Sequence, residues 1–332
     1  NIILMSIFLI TGGSGFIGTN LINYLSNKKH KLLNIDKISY ASTPERFKVI
    51  KIKKNYKFTK VDICNFKLLE KTLKKFKPAI IVNLAANSHV DRSIVSPTDF
   101  FNENIIITQN ILEYLRRNKK IKLIHISTDE VYGSTKKKKF REISILDPSS
   151  PYSSSKASCD LLINSYSKTY NLNYCILRPS NNYGPYQFTE KFIPTIITKA
   201  LNNLPIPIYG KGKNVREWTY VEDTCLAIEK TINNFKKDQI FNVGSGYCKE
   251  NIRIAREILK MFLKTKSKIT YVRDRAGHDF RYSLNSKKIL NKLNWVPKTF
   301  LSNGLLKTID WYKNNLLWIK YTRKKYQGKR LG

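Results

Sequence analysis

The stretch Ile7-Phe8-Leu9-Ile10-Thr11-Gly12-Gly13-Ser14-Gly15-Phe16-Ile17-Gly18 decides the fold. A short apolar run meets glycines at once, and an apolar-periodic segment follows from Phe16 to Leu25. That order reads as strand, tight turn and helix. Gly12, Gly15 and Gly18 are spaced G-x-x-G-x-x-G. In such a turn one glycine permits the bend, one lets the backbone approach a pyrophosphate, and one lets helix pack on strand. The helix start presents amides and a positive dipole end to the phosphates. Gly12, Gly15, Phe16, Ile17 and Gly18 are therefore candidate dinucleotide contacts. Asp36 closes the next apolar run, Lys31 to Ile35, with Lys37 beside it. An acid at that place accepts hydrogen bonds from an adenine ribose, which favours NAD over NADP.

Further along, Tyr56 to Val61 reads as a strand that ends in Asp62 and Ile63. An acid there suits an adenine amino group or a plain turn. Phe66 to Phe76 has helical periodicity and stops at Lys77-Pro78. Ala79 to Leu84 is a continuous apolar run, as expected of a buried parallel strand. It ends in small residues, Ala85 and Ala86, followed by Ser88, which let a flat cofactor pass close overhead. Phe101 to Arg116 reads as a long helix, and Lys122 to Ile126 as the next strand, ending in Ser127-Thr128-Asp129-Glu130. The alternation predicts an α/β fold with a doubly wound parallel sheet, its ligands lying beyond the carboxyl ends of the strands.

Ser150-Pro151 then introduces Tyr152-Ser153-Ser154-Ser155-Lys156, with helical pattern continuing from Ala157 to Tyr170. Tyr152 and Lys156, four apart, share one helix face. A tyrosine acting as a base near neutral pH needs its pKa lowered by about 3 from about 10, roughly 4 kcal/mol. A neighbouring ammonium and a nicotinamide cation are groups that can do so.

The glycine turn and the Y-x-x-x-K pair resemble the extended short-chain dehydrogenase/reductase family, whose NAD lobe is of Rossmann type. More narrowly, several segments are similar to those of its nucleotide-sugar 4,6-dehydratases. They are Leu84 to Ile94, Ser127 to Gly133 (STDEVYG), Ser150 to Ala157, Ser180 to Lys191, Pro207 to Tyr220 and Asp274 to Tyr282 (DRAGHDFRY). The similarity runs from Ile7 to about Trp318. It implies NAD as cofactor, dTDP-glucose as substrate, 4-keto-6-deoxyglucose as the product sugar, and a place in deoxysugar synthesis such as that of rhamnose. It also implies Tyr152 as the base at the C4 hydroxyl, Thr128 as a hydrogen-bond partner of the C4 oxygen, and Lys156 on the ribose. Glu130 would remove the C5 proton and Asp129 would protonate the departing C6 hydroxyl. Two carboxyl groups with separated pKa values let one site run acid and base chemistry.

The same resemblance implies that Leu84, Ala85, Ala86 and Asn182 meet the cofactor. It implies that Ser88, Asn181, Lys191, Phe192, Pro207, Tyr209, Arg216, Asn251, Arg275 and His278 meet the nucleotide sugar. A guanidinium suits a diphosphate because it binds in two-pronged fashion. Departures from the family pattern are Asn87, Glu103, Thr189 and Ala276. A homodimer through helices of the NAD lobe is a further implication.

Residues 1–178 are expected to form the NAD lobe, with a returning segment near 220–245. Residues 179–322 would form mainly the substrate lobe, and 323–332 a disordered basic tail. Met5 is the natural start, preceded by a short extension. No apolar run approaches the roughly 20 residues needed to span a bilayer, and a soluble, cytoplasmic enzyme is expected. Cys64, Cys159, Cys175, Cys225 and Cys248 have neither disulfide nor zinc spacing, and the four histidines make no metal-ligand pattern. The formal net charge of +36 invites a nucleic-acid reading. The lysines are scattered, however, and no aromatic interleaving accompanies the basic runs, so coding bias is preferred. The competing functions are a 4-epimerase or decarboxylase of the same family, and a basic nucleic-acid binder on an inactive scaffold.

Overall fold

The computed structural model describes residues 7–28, 30–42 and 55–326. The expected start at Met5 and the end of the basic tail lie outside them. Seven parallel strands make the central sheet. They are β1 (Ile7–Thr11), β2 (Lys31–Asp36), β3 (Tyr56–Lys60), β4 (Ile80–Asn83), β5 (Lys122–Ile126), β6 (Asn173–Pro179) and β10 (Gln239–Val243). Their spatial order is β10-β6-β5-β4-β1-β2-β3. The chain leaves β1 in one direction through β2 and β3, then resumes on the other side at β4. A crevice therefore opens where β1 and β4 diverge, which is where ligands bind in doubly wound sheets.

Period-two alternation sends neighbouring strand residues to opposite faces. Phe8, Ile10 and Val82 pack with α1 (Phe16–Leu25) and α7 (Val221–Asn233). Leu9, Leu33 and Ile81 pack with α2 (Phe66–Phe76), α4 (Pro97–Arg117) and α5 (Pro151–Tyr170). The remaining short helix on this side is α3 (Val90–Val95).

The second lobe has a three-stranded sheet of β7 (Asn181–Tyr183), β9 (Val215–Tyr220) and β11 (Cys248–Glu250), and a parallel pair of β8 (Ile206–Tyr209) and β12 (Ile269–Val272). Around them lie α6 (Phe192–Leu201), α8 (Asn251–Lys260), α10 (Leu301–Lys313) and α11 (Leu316–Tyr326), while α9 (Lys287–Leu293) packs back on the central sheet beside β10. Trp218, Tyr183, Leu305, Tyr312 and Trp318 close a core of their own there.

Two boundaries differ from expectation. The long helix starts at Pro97, not Phe101. Pro97 occupies the first turn, where a missing N–H costs nothing, and the Ser96 hydroxyl donates to Asp99 at 2.6 Å. At the other end, α11 carries Arg323, Lys324 and Lys325 in its last turn, so the basic run begins in helix and not in a tail. Cations suit a helix C-terminus. The helix is also pinned by buried Trp318 and by a hydrogen bond between Thr189 and Thr322.

Candidate active site

The glycine turn forms the floor of the first cavity. Gly12 sits at φ +64°, and a Cβ there would meet the Ala85 Cα at 2.7 Å. The turn therefore presses against the end of β4, and side chains are excluded from both. Gly15 caps α1 without a side-chain hydrogen bond. The amides of that first turn have no intrahelical acceptor and are available to an anion. Asp36 holds this geometry through both oxygens: Oδ2 accepts from the Ser14 amide at 3.0 Å and Oδ1 from Ile38 at 2.8 Å. Gly12, Gly15, Phe16, Ile17, Gly18, Asp36, Lys37, Asp62, Ile63, Leu84, Ala85, Ala86, Tyr152 and Lys156 all line this one cavity. A cradle that a Cβ would fill, beside an uncapped helix start, fits a dinucleotide pyrophosphate. Asn182 is placed elsewhere: it lines the second cavity with Asn181.

β5 delivers the acid–base residues. After Ile126 the backbone turns into a short 3₁₀ segment, Asp129–Tyr132, with Thr128 at its N-cap accepting from the Glu130 amide at 3.3 Å. On a straight strand Asp129 and Glu130 would point to opposite faces. The tight turn lets both serve one site. Asp129 is 1% exposed, and its Oδ2 has no protein partner. Burial, with the Glu130 and Glu217 carboxylates adding, holds the Asp129 carboxyl well above the usual range, so it keeps its proton. Glu130 is half-buried and lines the second cavity. Burial raises it too, but Arg216, Arg275 and Lys191 oppose the shift. The two carboxyl groups thus differ in environment, with Asp129 the better acid and Glu130 the better base.

α5 carries Tyr152 and Lys156 one turn apart. A capping box starts the helix, the Ser150 hydroxyl accepting from the Ser153 amide at 3.1 Å and Ser153 Oγ from the Ser150 amide at 3.0 Å. Burial and the Glu130 carboxylate push the Tyr152 phenol up, while a hydrogen bond with Thr128 pulls it down. Burial lowers the Lys156 ammonium. The expected lowering of Tyr152 by Lys156 is thus outweighed, within the protein alone, by desolvation. Lys156 Nζ donates to the Ile126 carbonyl at 2.8 Å and lies 3.1 Å from His125 Nε2.

The second cavity is built from charged side chains. Asn181, Lys191, Phe192, Pro207, Tyr209, Arg216, Asn251, Arg275 and His278 line it together with Glu130, while Ser88 and Lys191 line both cavities. Arg275 Nε lies 2.5 Å from Asp91 Oδ1, and the Tyr209 hydroxyl donates to Asp91 Oδ2 at 2.8 Å. Arg216 donates to the Asp279 carbonyl at 2.9 Å and stacks its guanidinium 4.3 Å from the Tyr282 ring centroid. His278 Nδ1 faces Asp274 at 2.6 Å. The carbonyl-type oxygens of Asn181, Asn182 and Asn251 are buried without protein partners, as a site that recognises polar groups requires.

Glu190, Asp91 and Tyr40 also belong here, though none stood out in the sequence. Glu190 accepts from Arg92 at 3.1 Å and from Tyr40 at 2.8 Å, and lines both cavities. Its neighbour His89 is kept neutral, pushed down to about 2 by burial and by Lys191, Arg275 and Arg92. The one available signal for Glu190 was its place beside Lys191 in the segment Ser180 to Lys191. Of the departures, Asn87 and Glu103 line the first cavity, and Thr189 is buried against Thr322.

The chain is similar to proteins of known family and structure. The family model described as GDP-mannose 4,6 dehydratase matches residues 9–308. A probable dTDP-glucose 4,6-dehydratase of Sinorhizobium fredii is 39% identical, over 98% of this chain and 98% of its own. The crystal structure of a dTDP-glucose 4,6-dehydratase from Bacillus anthracis in complex with NAD has 41% identity and a TM-score of 0.89, covering 96% of this chain and 99% of that one. A Streptomyces venezuelae dTDP-glucose 4,6-dehydratase, with NAD and TYD bound, has 35% identity and a TM-score of 0.89, covering 94% and 98%.

Proposed function

The chain belongs to the dTDP-glucose 4,6-dehydratase family, and from that premise we infer that it converts dTDP-glucose to dTDP-4-keto-6-deoxyglucose and water, with NAD⁺ as resident cofactor. The observation that carries the reading is the meeting of two kinds of chemistry between two cavities. Tyr152 and Lys156 border the dinucleotide cavity, and Glu130, beside Asp129, borders the charged one.

NAD⁺ bound in the first cavity would supply the hydride chemistry, accepting hydride from C4 and giving the same hydride back to C6. The protein's own groups move the protons. Tyr152 takes the proton of the C4 hydroxyl, and Thr128, already hydrogen-bonded to Tyr152, holds the C4 oxygen. Once C4 is a ketone, the C5 proton is acidified, and Glu130 removes it. Asp129, held protonated, gives its proton to the C6 hydroxyl as water leaves. As C6 receives the hydride, Glu130 returns its proton to C5; the proton that Tyr152 gained then balances the one that Asp129 gave, and the turn is complete. Arg216 and Arg275 suit the diphosphate, and Asn181, Lys191, Tyr209, Asn251 and His278 the remaining polar groups of the nucleotide sugar. Asp36 suits the adenine ribose, and Asp62 the adenine. An epimerase has no use for a proton donor and acceptor aimed at C6 and C5, so the Asp129–Glu130 pair favours dehydration.

We further propose a homodimer acting in the cytoplasm. α4 and α5 lie side by side and carry exposed Ile106 and Leu161, an apolar surface suited to a second copy. All five cysteines are free, as a reducing compartment would keep them. Among the described residues no helix is long and apolar enough to cross a membrane. Light scattering should give twice the chain mass, and Leu161→Glu should halve it.

The deciding experiment is mass spectrometry of dTDP-glucose incubated with the purified protein. Loss of one water without net NADH is the expected result. An unchanged mass with inverted C4 would establish epimerisation instead, and no change with any nucleotide sugar would overturn the reading.

A further inference from the structure

The segment 134–149 joins the short 3₁₀ segment to α5, and the reaction above does not use it. It carries the longest lysine run of the chain, Lys136 to Lys139, then Arg141, Ile143 and Ile145. All five cations are exposed, and the two isoleucines are 81% and 85% exposed.

A well-anchored backbone presents these side chains. The Phe140 amide donates to the Ser283 carbonyl at 2.8 Å, and the Phe140 carbonyl accepts from the Asn285 amide at 2.8 Å. The Phe140 ring stacks on Tyr132, with centroids 5.0 Å apart. Leu146 packs into the same small cluster, with Val131 and Leu284. Glu142 accepts from the Asn242 amide of β10 at 3.0 Å, so its carboxylate is turned inward. A turn closed from the Ser144 amide to the Arg141 carbonyl at 2.9 Å puts Ile143 at a corner. At the lysine end, the Thr135 amide donates to the Arg281 carbonyl at 3.1 Å, and Arg281 donates to the Lys136 carbonyl at 3.2 Å.

Two features set this loop apart from the basic surface at large. Among the described residues, none of its five cations is paired with a carboxylate. Lys139 exerts its field on buried Glu217 without pairing to it. The isoleucines are the second feature. Isoleucine is abundant in this sequence, yet among the described residues only Ile106, Ile143 and Ile145 are exposed, and Ile106 at only 38%. Coding bias supplies lysine and isoleucine everywhere, but folding takes isoleucine inside. Two left outside on one anchored loop, beside five unpaired cations, mark a contact surface.

One kind of partner uses both features. An anionic bilayer draws lysine and arginine to its headgroups, and the boundary below them takes up apolar side chains. Four of the five cations are lysines, compact charges on flexible stems. Those suit headgroups free to diffuse, whereas fixed carboxylates on a protein are matched better by the arginine fork. A nucleic-acid strand would use the cations but gains from aromatic stacking, and the exposed side chains of this loop include no aromatic ring.

We propose that the 134–149 loop docks the protein peripherally on an anionic phospholipid surface. Lys136 to Lys139 and Arg141 meet the headgroups, and Ile143 and Ile145 enter the interface. The proposal concerns attachment alone, so it stands or falls apart from the reaction.

Vesicle flotation of the full chain tests it. With phosphatidylcholine and phosphatidylserine at about two to one, the protein should rise with the lipid at low salt. With phosphatidylcholine alone it should stay behind. Lys137→Gln with Lys138→Gln should weaken binding about twentyfold, at about fivefold per charge. Ile143→Ser with Ile145→Ser should weaken it about tenfold and leave the remainder more sensitive to salt. Lys264→Gln with Lys266→Gln removes the same charge from exposed lysines after α8 and should bind as the unaltered protein does. All three should keep the melting temperature of the unaltered protein. No flotation, equal flotation on phosphatidylcholine, or an equal loss in the Lys264–Lys266 variant would overturn the proposal. So would a protein that ignores vesicles but is retained on poly(U) RNA through Lys137 and Lys138. If one loop variant does not fold, the other decides, because charge and apolar contact are altered separately.

Discussion

The two cavities that share Ser88, Glu190 and Lys191 are built on opposite principles. The dinucleotide cavity is made of backbone. A contiguous glycine turn is pressed onto β4, a helix start lies open, and Asp36 straps them together through two amides. The substrate cavity is made of charge. Arg275 leans on Asp91, Arg92 on Glu190, His278 on Asp274, and Lys191 Nζ on the Ser88 carbonyl at 2.7 Å. The first relies on close approach, which no side chain can improve. The second gathers buried charges that need partners whether or not a ligand is there. The first should therefore fail through sterics, and the second through loss of pairing or of a proton site.

The largest effect is expected where the second cavity does chemistry. Glu130→Gln keeps the shape and removes the base, so product formation should fall by a thousandfold, within the range of about 10²–10⁴ for lost proton transfer. C4 oxidation should survive, and enzyme-bound NADH should appear on mixing with dTDP-glucose. Normal turnover by this variant would remove Glu130 from its role. The unaltered enzyme should show a bell-shaped pH profile. Glu130 works ionised, so rate falls as acid protonates it, and its raised pKa brings that limb toward neutrality. Asp129 works protonated, so rate falls as base ionises it, and its raised pKa moves that limb to higher pH than an ordinary carboxyl would give. The two apparent values belong to the coupled pair. Asp129→Asn should slow elimination and flatten the alkaline limb.

Next in size is a steric break in the first cavity. Gly12→Ala forces a residue with Cβ into φ +64°, with backbone at 2.7–2.8 Å that cannot swing away. The combined cost should be at least about 2 kcal/mol, a thirtyfold or greater loss of NAD affinity. Equilibrium dialysis of the cofactor would measure it. Affinity within threefold of the original would show that the cradle is softer than its geometry.

This contrast also sets what the sequence could reveal. The glycine turn, the acid at Asp36 and the Tyr152–Lys156 pair lie in short contiguous windows, and a local pattern is enough to read them. The strand–helix alternation is read from periodicity in the same way. Glu190 and Asp91 were passed over because what makes them important is a partner far away. Glu190 meets Arg92 across 98 residues, and Asp91 meets Tyr209 across 118. No local window contains such pairs. Asn182 was assigned to the cofactor by resemblance, and β7 brings it with Asn181 to the lining of the second cavity. The start of α4 at Ser96-Pro97 was legible, since proline after serine is a helix-start signal; the apolar period starting later masked it.

A smaller effect should come from unpairing one charge of the second cavity without changing its shape. Asp91→Asn leaves Tyr209 a hydrogen-bond partner but takes the counter-charge from Arg275. The guanidinium loses its anchor and its orientation toward a diphosphate. KM for dTDP-glucose should rise by about tenfold, with kcat changing less, because the lost interaction serves binding in ground and transition states alike. An equal fall in kcat with unchanged KM would place Asp91 in the chemistry instead.

The smallest effect should come from an ion pair that lines the first cavity. Lys37 Nζ lies 2.6 Å from Glu103 Oε1, linking the end of β2 to α4 in the lining of the cavity. Both side chains are about one-third exposed, at 34% and 30%. An exposed pair of this kind contributes about 0–1 kcal/mol and weakens further with salt. Glu103→Thr, which removes the charge, should therefore change NAD affinity by less than about fivefold. The difference should shrink as ionic strength rises. The backbone cradle, not this charge, carries the cofactor. A hundredfold loss on Glu103→Thr, persisting at high salt, would mean that the first cavity depends on paired charges as the second does, and the distinction between them would collapse.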